Sequence, residues 1–210
     1  MFIELLELLR CTSDHAESSL VAAFSKVTNR FVDEATLGCP VCARKFPITN
    51  GIGQFGAETA VKPAARNWQP SEREELATRI GAFLDATEAG STVLLGGVWA
   101  GGAQKLTEMV ELRVFALNPP AGVIESANVG LLAVAESVPL AAGSCAGAAL
   151  DDKFSPGLLP SILKMVRAGG RIVGPTAIPP PPTVLVLAKD DSYWVAQKAP
   201  EITPLRRASR

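Results

Sequence analysis

The sequence predicts an α/β domain built on a mostly parallel sheet with helices on both faces, preceded by a small β-rich module. Three observations carry that expectation. From Ser71 onward, strand-like and helix-like segments alternate, as they do in successive βα units. Residues 1–52 hold three of the four cysteines and the only histidine. Between these zones, residues 53–70 show no usable hydrophobic period and read as a linker. The α/β domain is expected over 71–199, with a short tail over 200–210.

Bulk properties bound what the chain can do. Its 210 residues, 48% apolar and 20% charged, suffice for a packed core and one small appendage. With 20 basic and 21 acidic side chains there is no global field to draw the protein onto nucleic acid or an anionic membrane. No basic-aromatic stripe is present, so no nucleic-acid partner is expected. Three arginines in Leu205-Arg206-Arg207-Ala208-Ser209-Arg210 read as a solvated tail. Met1 to Glu7 contains two acids and no basic n-region, unlike a secretory signal. The longest uncharged runs are rich in Gly and Pro and lack the bulk of a transmembrane segment. A cytoplasmic, reduced location is therefore expected, where cysteines serve as metal ligands or core residues in preference to disulfides.

Each element has a local reason. In the module, Ser19 to Lys26 and Arg30 to Leu37 read as hairpin arms turning at Thr28-Asn29. In the second zone, Ser71 followed by Glu72 and Glu74 reads as a capped helix start, with Leu76, Ile80, Phe83 and Leu84 at helical spacing. Thr92 to Leu95 is a buried strand running into Gly96-Gly97. A helix over Ala103 to Val110 and a strand over Leu112 to Leu117 follow, stopped by Asn118-Pro119-Pro120. Val129 to Ala135 and Ala148 to Leu150 are further strands. A helix from Pro156 to Val166 is expected to cap at Gly169-Gly170 before a strand at Arg171 to Val173. Beyond four prolines, Val184 to Ala188 and Tyr193 to Ala196 flank Lys189-Asp190-Asp191-Ser192 as a closing hairpin.

Cys39-Pro40-Val41-Cys42 is a CxxC, whose thiolates can point together from a tight knuckle as tetrahedral zinc requires. Cys11 supplies a third ligand, and His15 or Asp14 a fourth. A redox-active or merely buried CxxC competes with this reading. Leu5-Leu6-Glu7-Leu8-Leu9-Arg10-Cys11, and then Cys39-Pro40-Val41-Cys42 leading to Phe46-Pro47-Ile48-Thr49-Asn50-Gly51-Ile52, resemble the small zinc-ribbon proteins that act as activating partners of methyltransferases. That family carries a second cysteine at the first knuckle where this chain has Asp14, which leaves His15 as the replacement ligand. The resemblance implies zinc held by Cys11, His15, Cys39 and Cys42, and a protein-binding platform in place of a catalytic metal.

The second zone resembles the Rossmann-like class I methyltransferases. Val93 to Gly102 stands where that family has its glycine-rich first loop, Glu136 to Ser144 at its "LPF-x-DGS" segment, and Val166-Arg167-Ala168-Gly169-Gly170-Arg171 at its "VLRPGGRL" turn. The resemblance implies acids that hold S-adenosylmethionine, and here those positions fall on Leu95, Asn118 and Val134, with Cys145-Ala146 in place of a Phe-Asp pair. Trp99 stands where a glycine clears room for the cofactor. S-adenosylmethionine binding and catalytic residues are therefore not expected, and Gly96, Gly97, Gly101 and Asn118 would be a vestigial loop.

Two rival catalytic readings are weaker. Gly143-Ser144-Cys145-Ala146-Gly147 has nucleophile-elbow spacing, but the residues after it read as strand and the sole histidine belongs to the module. Asp151-Asp152 reads as a solvated strand rim, with a helix cap at Ser155. The function expected is a non-catalytic interaction or structural subunit, with another protein, in a larger multi-subunit complex, as partner. The alternative is an active S-adenosylmethionine-dependent methyltransferase with its activator fused in cis.

Overall fold

A computed structural model describes residues 1–56, 68–152 and 156–200. Most of the expected linker, the Ser155 cap and the arginine tail lie outside these residues. The strands are β1 (Val21–Thr28), β2 (Phe31–Gly38), β3 (Lys45–Thr49), β4 (Ile52–Phe55), β5 (Thr92–Gly96), β6 (Arg113–Leu117), β7 (Val129–Val134), β8 (Cys145–Ala149), β9 (Val166–Pro175), β10 (Val184–Lys189) and β11 (Tyr193–Lys198). The α-helices are α1 (Pro70–Leu84), α2 (Ala103–Met109) and α3 (Leu159–Met165), and 3-10 turns occupy Ile3–Leu8, Gly97–Gly102 and Pro156–Leu158.

All eleven strands form one sheet in the order β1-β2-β3-β4-β7-β6-β5-β8-β9-β11-β10. Within the second zone the order runs third, second, first, fourth, fifth, with the antiparallel β11–β10 hairpin closing the edge. This is the Rossmann-like, methyltransferase-type arrangement, doubly wound about a switch point between β5 and β8. The module does not stand apart from it. Strand β4 pairs in parallel with β7, Ile52 with Leu131 through Phe55 with Val134. Residues 53–55, expected in the linker, are therefore sheet. Their Gly-Gln-Phe sequence has too few apolar positions to show a period, and the pairing with an apolar β7 supplies what local pattern lacks.

Period-2 alternation in the buried strands sorts side chains to two cores. Val93 and Leu95 of β5 join α1 and α2, whose Ala77, Ile80 and Leu106 pack on that face. Leu94 joins the opposite core with Phe115, Leu132 and α3. On that face the β7–β8 connection carries no helix, and the amino-terminal segment covers the sheet in its place. Met1, Leu5, Leu6 and Leu9 are buried there, Leu9 bridges Leu140, and Arg10 N–H donates to Pro139 O at 2.9 Å. Each fully buried leucine of this kind contributes about 1.5–3 kcal/mol of transfer free energy.

Three local expectations are corrected. Helix α1 begins at Pro70, not after a Ser71 cap: Gln69 is the N-cap, its N–H donates to Glu72 Oε2 at 2.8 Å, and proline's fixed φ opens the first turn. Gly169-Gly170 is no helix cap. Helix α3 ends at Met165, and both glycines lie within β9, where a Cβ on Gly170 would stand 2.6 Å from Ala146 O. The module hairpin turns through Asn29 and Arg30, both at positive φ, one residue later than the sequence suggests.

Candidate metal centre and cofactor crevice

Four ligands converge at the outer end of the module. The β2–β3 knuckle brings in Cys39 and Cys42, its geometry fixed by Cys39 N–H to Arg44 O at 2.9 Å and Ala43 N–H to Cys39 O at 3.0 Å. Cys11 arrives from the segment after the first 3-10 turn, anchored by its N–H to Ser18 O at 2.9 Å. His15 completes the group, and the four ligand atoms all lie within 4.8 Å of one another. Asp14, the other expected candidate for the fourth position, is not among them.

The spacing fits a tetrahedral ion. Sulfurs about 2.3 Å from a common centre stand about 3.8 Å apart. Cys11 Sγ and Cys42 Sγ are 3.7 Å apart, and Cys39 Sγ lies 3.4 Å from His15 Nε2. The His15 ring is oriented from behind, Nδ1 lying 2.6 Å from Ala16 O, which leaves Nε2 to face the sulfurs. The hydrogen bond between Cys42 Sγ and Ser13 Oγ and the backbone N–H of Arg44 hold the Cys42 thiol down, to about 6. Burial acts against Cys39 ionising, yet the backbone N–H groups of Cys42 and Val41 bring its pKa below the ordinary thiol value. Burial pushes Cys11 the other way. With three cysteines and a histidine closing all four positions, this cluster could bind zinc, and its ligand set is that of a structural site.

The crevice where a doubly wound sheet takes its ligand lies outside the carboxyl ends of β5 and β8. One lip is the 3-10 turn Gly97–Gly102 after β5, and the other is Leu150-Asp151-Asp152 after β8. The two lips are bonded to each other. Val98 N–H donates to Asp151 Oδ2 at 2.8 Å, and Trp99 Nε1–H donates to Leu150 O at 3.1 Å. Gly97, at φ +57°, has no room for a Cβ because the Asp151 carboxylate lies against it. Asp151 is only 3% exposed, so its expected place on a solvated rim is corrected: the turn after β8 carries it inward toward the β5 loop. Trp99 is 1% exposed, edge-on to Tyr193 with ring centroids 5.1 Å apart. Burial, with the charges of Asp152 and Asp151 added, pushes the Tyr193 phenol up. Trp68 closes the far side, its six-membered ring against Gly101.

The remaining expected positions are all accounted for. Leu95 is buried in β5 and Gly96 ends it. Asn118 is spent on the backbone, its Nδ2–H donating to Val134 O at 2.9 Å and its Oδ1 accepting from Val134 N–H at 2.8 Å. Cys145 is buried within β8, where desolvation raises its thiol to about 12, so the elbow spacing holds no nucleophile. A second concavity, near the amino ends of β5, β8 and β9, is lined by Asp85, Glu88, Arg167 and Arg171. Its charges pair with each other, Arg167 with Glu88 and Arg171 with Asp85. Sequence reasoning missed Asp151. The signal available was an acid two residues beyond buried Ala149, too weak to tell an inward carboxylate from a rim.

No protein-family model matches the chain, and no curated protein does. Solved structures do. A candidate methyltransferase of an antibiotic-biosynthesis pathway from Anabaena variabilis is 22% identical over 47% of this chain and 43% of its own, with a TM-score of 0.40. A candidate S-adenosylmethionine-dependent methyltransferase from Methanococcus maripaludis is 7% identical over 67% of this chain and 99% of its own, with a TM-score of 0.43. Geranyl diphosphate C-methyltransferase from Streptomyces coelicolor is 12% identical over 57% and 53%, with a TM-score of 0.39. The matched region spans about half the length of most of these structures. The fold assignment stands on the strand order, and none of these likenesses speaks to activity. Among the described residues, no helix is long and apolar enough to cross a membrane.

Proposed function

We propose that this chain is a non-catalytic interaction or structural subunit, a methyltransferase-type scaffold stiffened by a zinc-bound module. The observation that carries the reading is the state of the crevice. Its two lips are hydrogen-bonded to each other, and Trp99 and the Asp151 carboxylate occupy the space next to the glycine loop. The acids that would hold a nucleoside are absent from β5, β6 and β7, and the one polar replacement, Asn118, is already satisfied by Val134. Zinc at Cys11, His15, Cys39 and Cys42 would then fasten the segment that covers one face of the sheet. With that role filled, the surfaces left for a protein partner are the exposed module hairpin and the β10 edge.

The alternative is an active S-adenosylmethionine-dependent methyltransferase with its activator in cis. The unbroken strand order and the β4–β7 pairing, which joins module to body as one sheet, favour keeping it in view. A calorimetric titration of the zinc-loaded protein with S-adenosylmethionine separates the two. Absence of heat at millimolar ligand, with no rise in melting temperature, is expected. A specific site held at a hundredfold its dissociation constant would stabilise the fold by about 2.7 kcal/mol, and that result would overturn the reading.

A further inference from the structure

We infer that Asp151 and Trp99 form a reciprocal latch across the switch-point crevice, an autoinhibitory contact that keeps an adenosyl ligand out. The inference rests on the reading above and names the residues responsible for it. The connection after β5 returns on one side of that strand, whereas β8 lies on the other, so β5 and β8 carry the two lips. A crevice opens there because the two loops part. Here each lip sends one side chain to the other's backbone. Asp151 reaches from the β8 lip to the N–H of Val98 at 2.8 Å, and Trp99 reaches from the β5 lip to the carbonyl of Leu150 at 3.1 Å.

Asp151 and Trp99 are both buried, and the indole bond to Leu150 O is enclosed. A ligand entering the crevice must break both cross-lip bonds at once, costing the Val98 N–H its acceptor and the Trp99 indole N–H its carbonyl. The glycine at position 97 fits the same account. Close backbone approach is what such a glycine permits, and the group that makes the approach is the chain's own carboxylate. Trp99 adds bulk to the bond: its ring is wedged among Phe83, Tyr193 and the α1 face, with centroids 6.2 and 5.1 Å from the two rings. The latch therefore has two separable parts, a filled volume and a pair of cross-lip bonds.

The test titrates S-adenosylhomocysteine, followed by calorimetry, into wild type, Trp99→Phe and the doubly relieved Trp99→Gly/Asp151→Gly protein, each zinc-loaded and checked for a cooperative melt. The expected outcome is saturable binding by the double variant at least about tenfold tighter than any wild-type signal, with Trp99→Phe, which keeps the bulk, remaining ligand-free. A folded double variant without binding overturns the latch and leaves the non-catalytic reading standing. Wild-type binding as tight as the variant's overturns both. Should the double variant fail to fold, the single Asp151→Ala protein, which lacks the acceptor, is read by amide hydrogen exchange. Exchange at Val98 is expected to quicken by roughly tenfold or more while β10 and β11 amides hold their rates. An unchanged Val98 rate overturns the latch.

Discussion

The metal centre and the crevice are built from similar materials to opposite ends. At the centre, four side chains from two separate segments point at a shared point and leave space between them, with sulfurs 3.7 Å apart and the His15 ring held from behind. At the crevice, the polar groups point at each other: Asp151 accepts from the Val98 N–H, and the Trp99 indole N–H donates to Leu150 O. Groups arranged around a void ask for something to fill it. Groups arranged onto one another have already been satisfied. A site is thus better recognised by where its hydrogen-bonding capacity ends up than by which residue types it contains.

The largest expected effect tests the first half of that contrast. Purified protein should carry one zinc per chain by elemental analysis. Chelation, or His15→Ala, should destabilise it by about 5 kcal/mol or more, a drop of roughly 10–20 °C in melting temperature, because structural zinc binding free energy is folding free energy. An unchanged melting temperature after complete metal removal would refute a structural role. At the crevice, Trp99→Ala should cost about 3–5 kcal/mol as a core cavity. Thermal or urea unfolding reads this directly, and a cost below about 1 kcal/mol would mean that the ring packs loosely and the space is available.

Thiol chemistry sharpens the comparison further. At pH 8, metal-free protein should react with a thiol reagent first at exposed Cys42, whose thiol is held down to about 6, and at Cys145 only after unfolding, since burial holds that thiol near 12. Its ordinary value is 9.0, so the folded state keeps a proton that the unfolded chain releases. The stability Cys145 contributes is fully present below pH 9 and is lost as pH rises toward 12. The slope of stability against pH in that window should be shallower in Cys145→Ala. Smallest of all should be Arg167→Ala, which removes an exposed, solvent-screened pair with Glu88 and should leave the melting temperature essentially unchanged. Asp14→Ala, outside the ligand group, should leave zinc content unchanged.

Much of this was legible in the sequence where local chemistry decides structure. The strands from Thr92 to Val134 and the closing hairpin follow from apolar runs and turn residues, and the four ligands follow from cysteine spacing plus one histidine. What could not be read depended on distant partners. Residues 53–55 carry no pattern of their own and become strand only because β7 lies beside them. Gly169-Gly170 looks like a helix cap until the carbonyl of Ala146 is placed against it. Asp151 looks like rim until the β5 loop offers it an N–H. In each case the deciding contact lies more than twenty residues away, where a window of neighbours carries no information.

The single continuous sheet sets an order of events during synthesis. Cys11 and Cys42 are 31 residues apart, so the ligand set is complete within a short stretch of synthesis. Glu17, by contrast, must wait for the N–H of Ala142, 125 residues downstream. At about 5–20 residues per second, that is an interval of roughly 6–25 s. Through most of it, Leu9 lacks Leu140, its bridge partner. A metal captured early would hold the nascent hairpin in shape during that wait, and chaperones would find their natural binding window there.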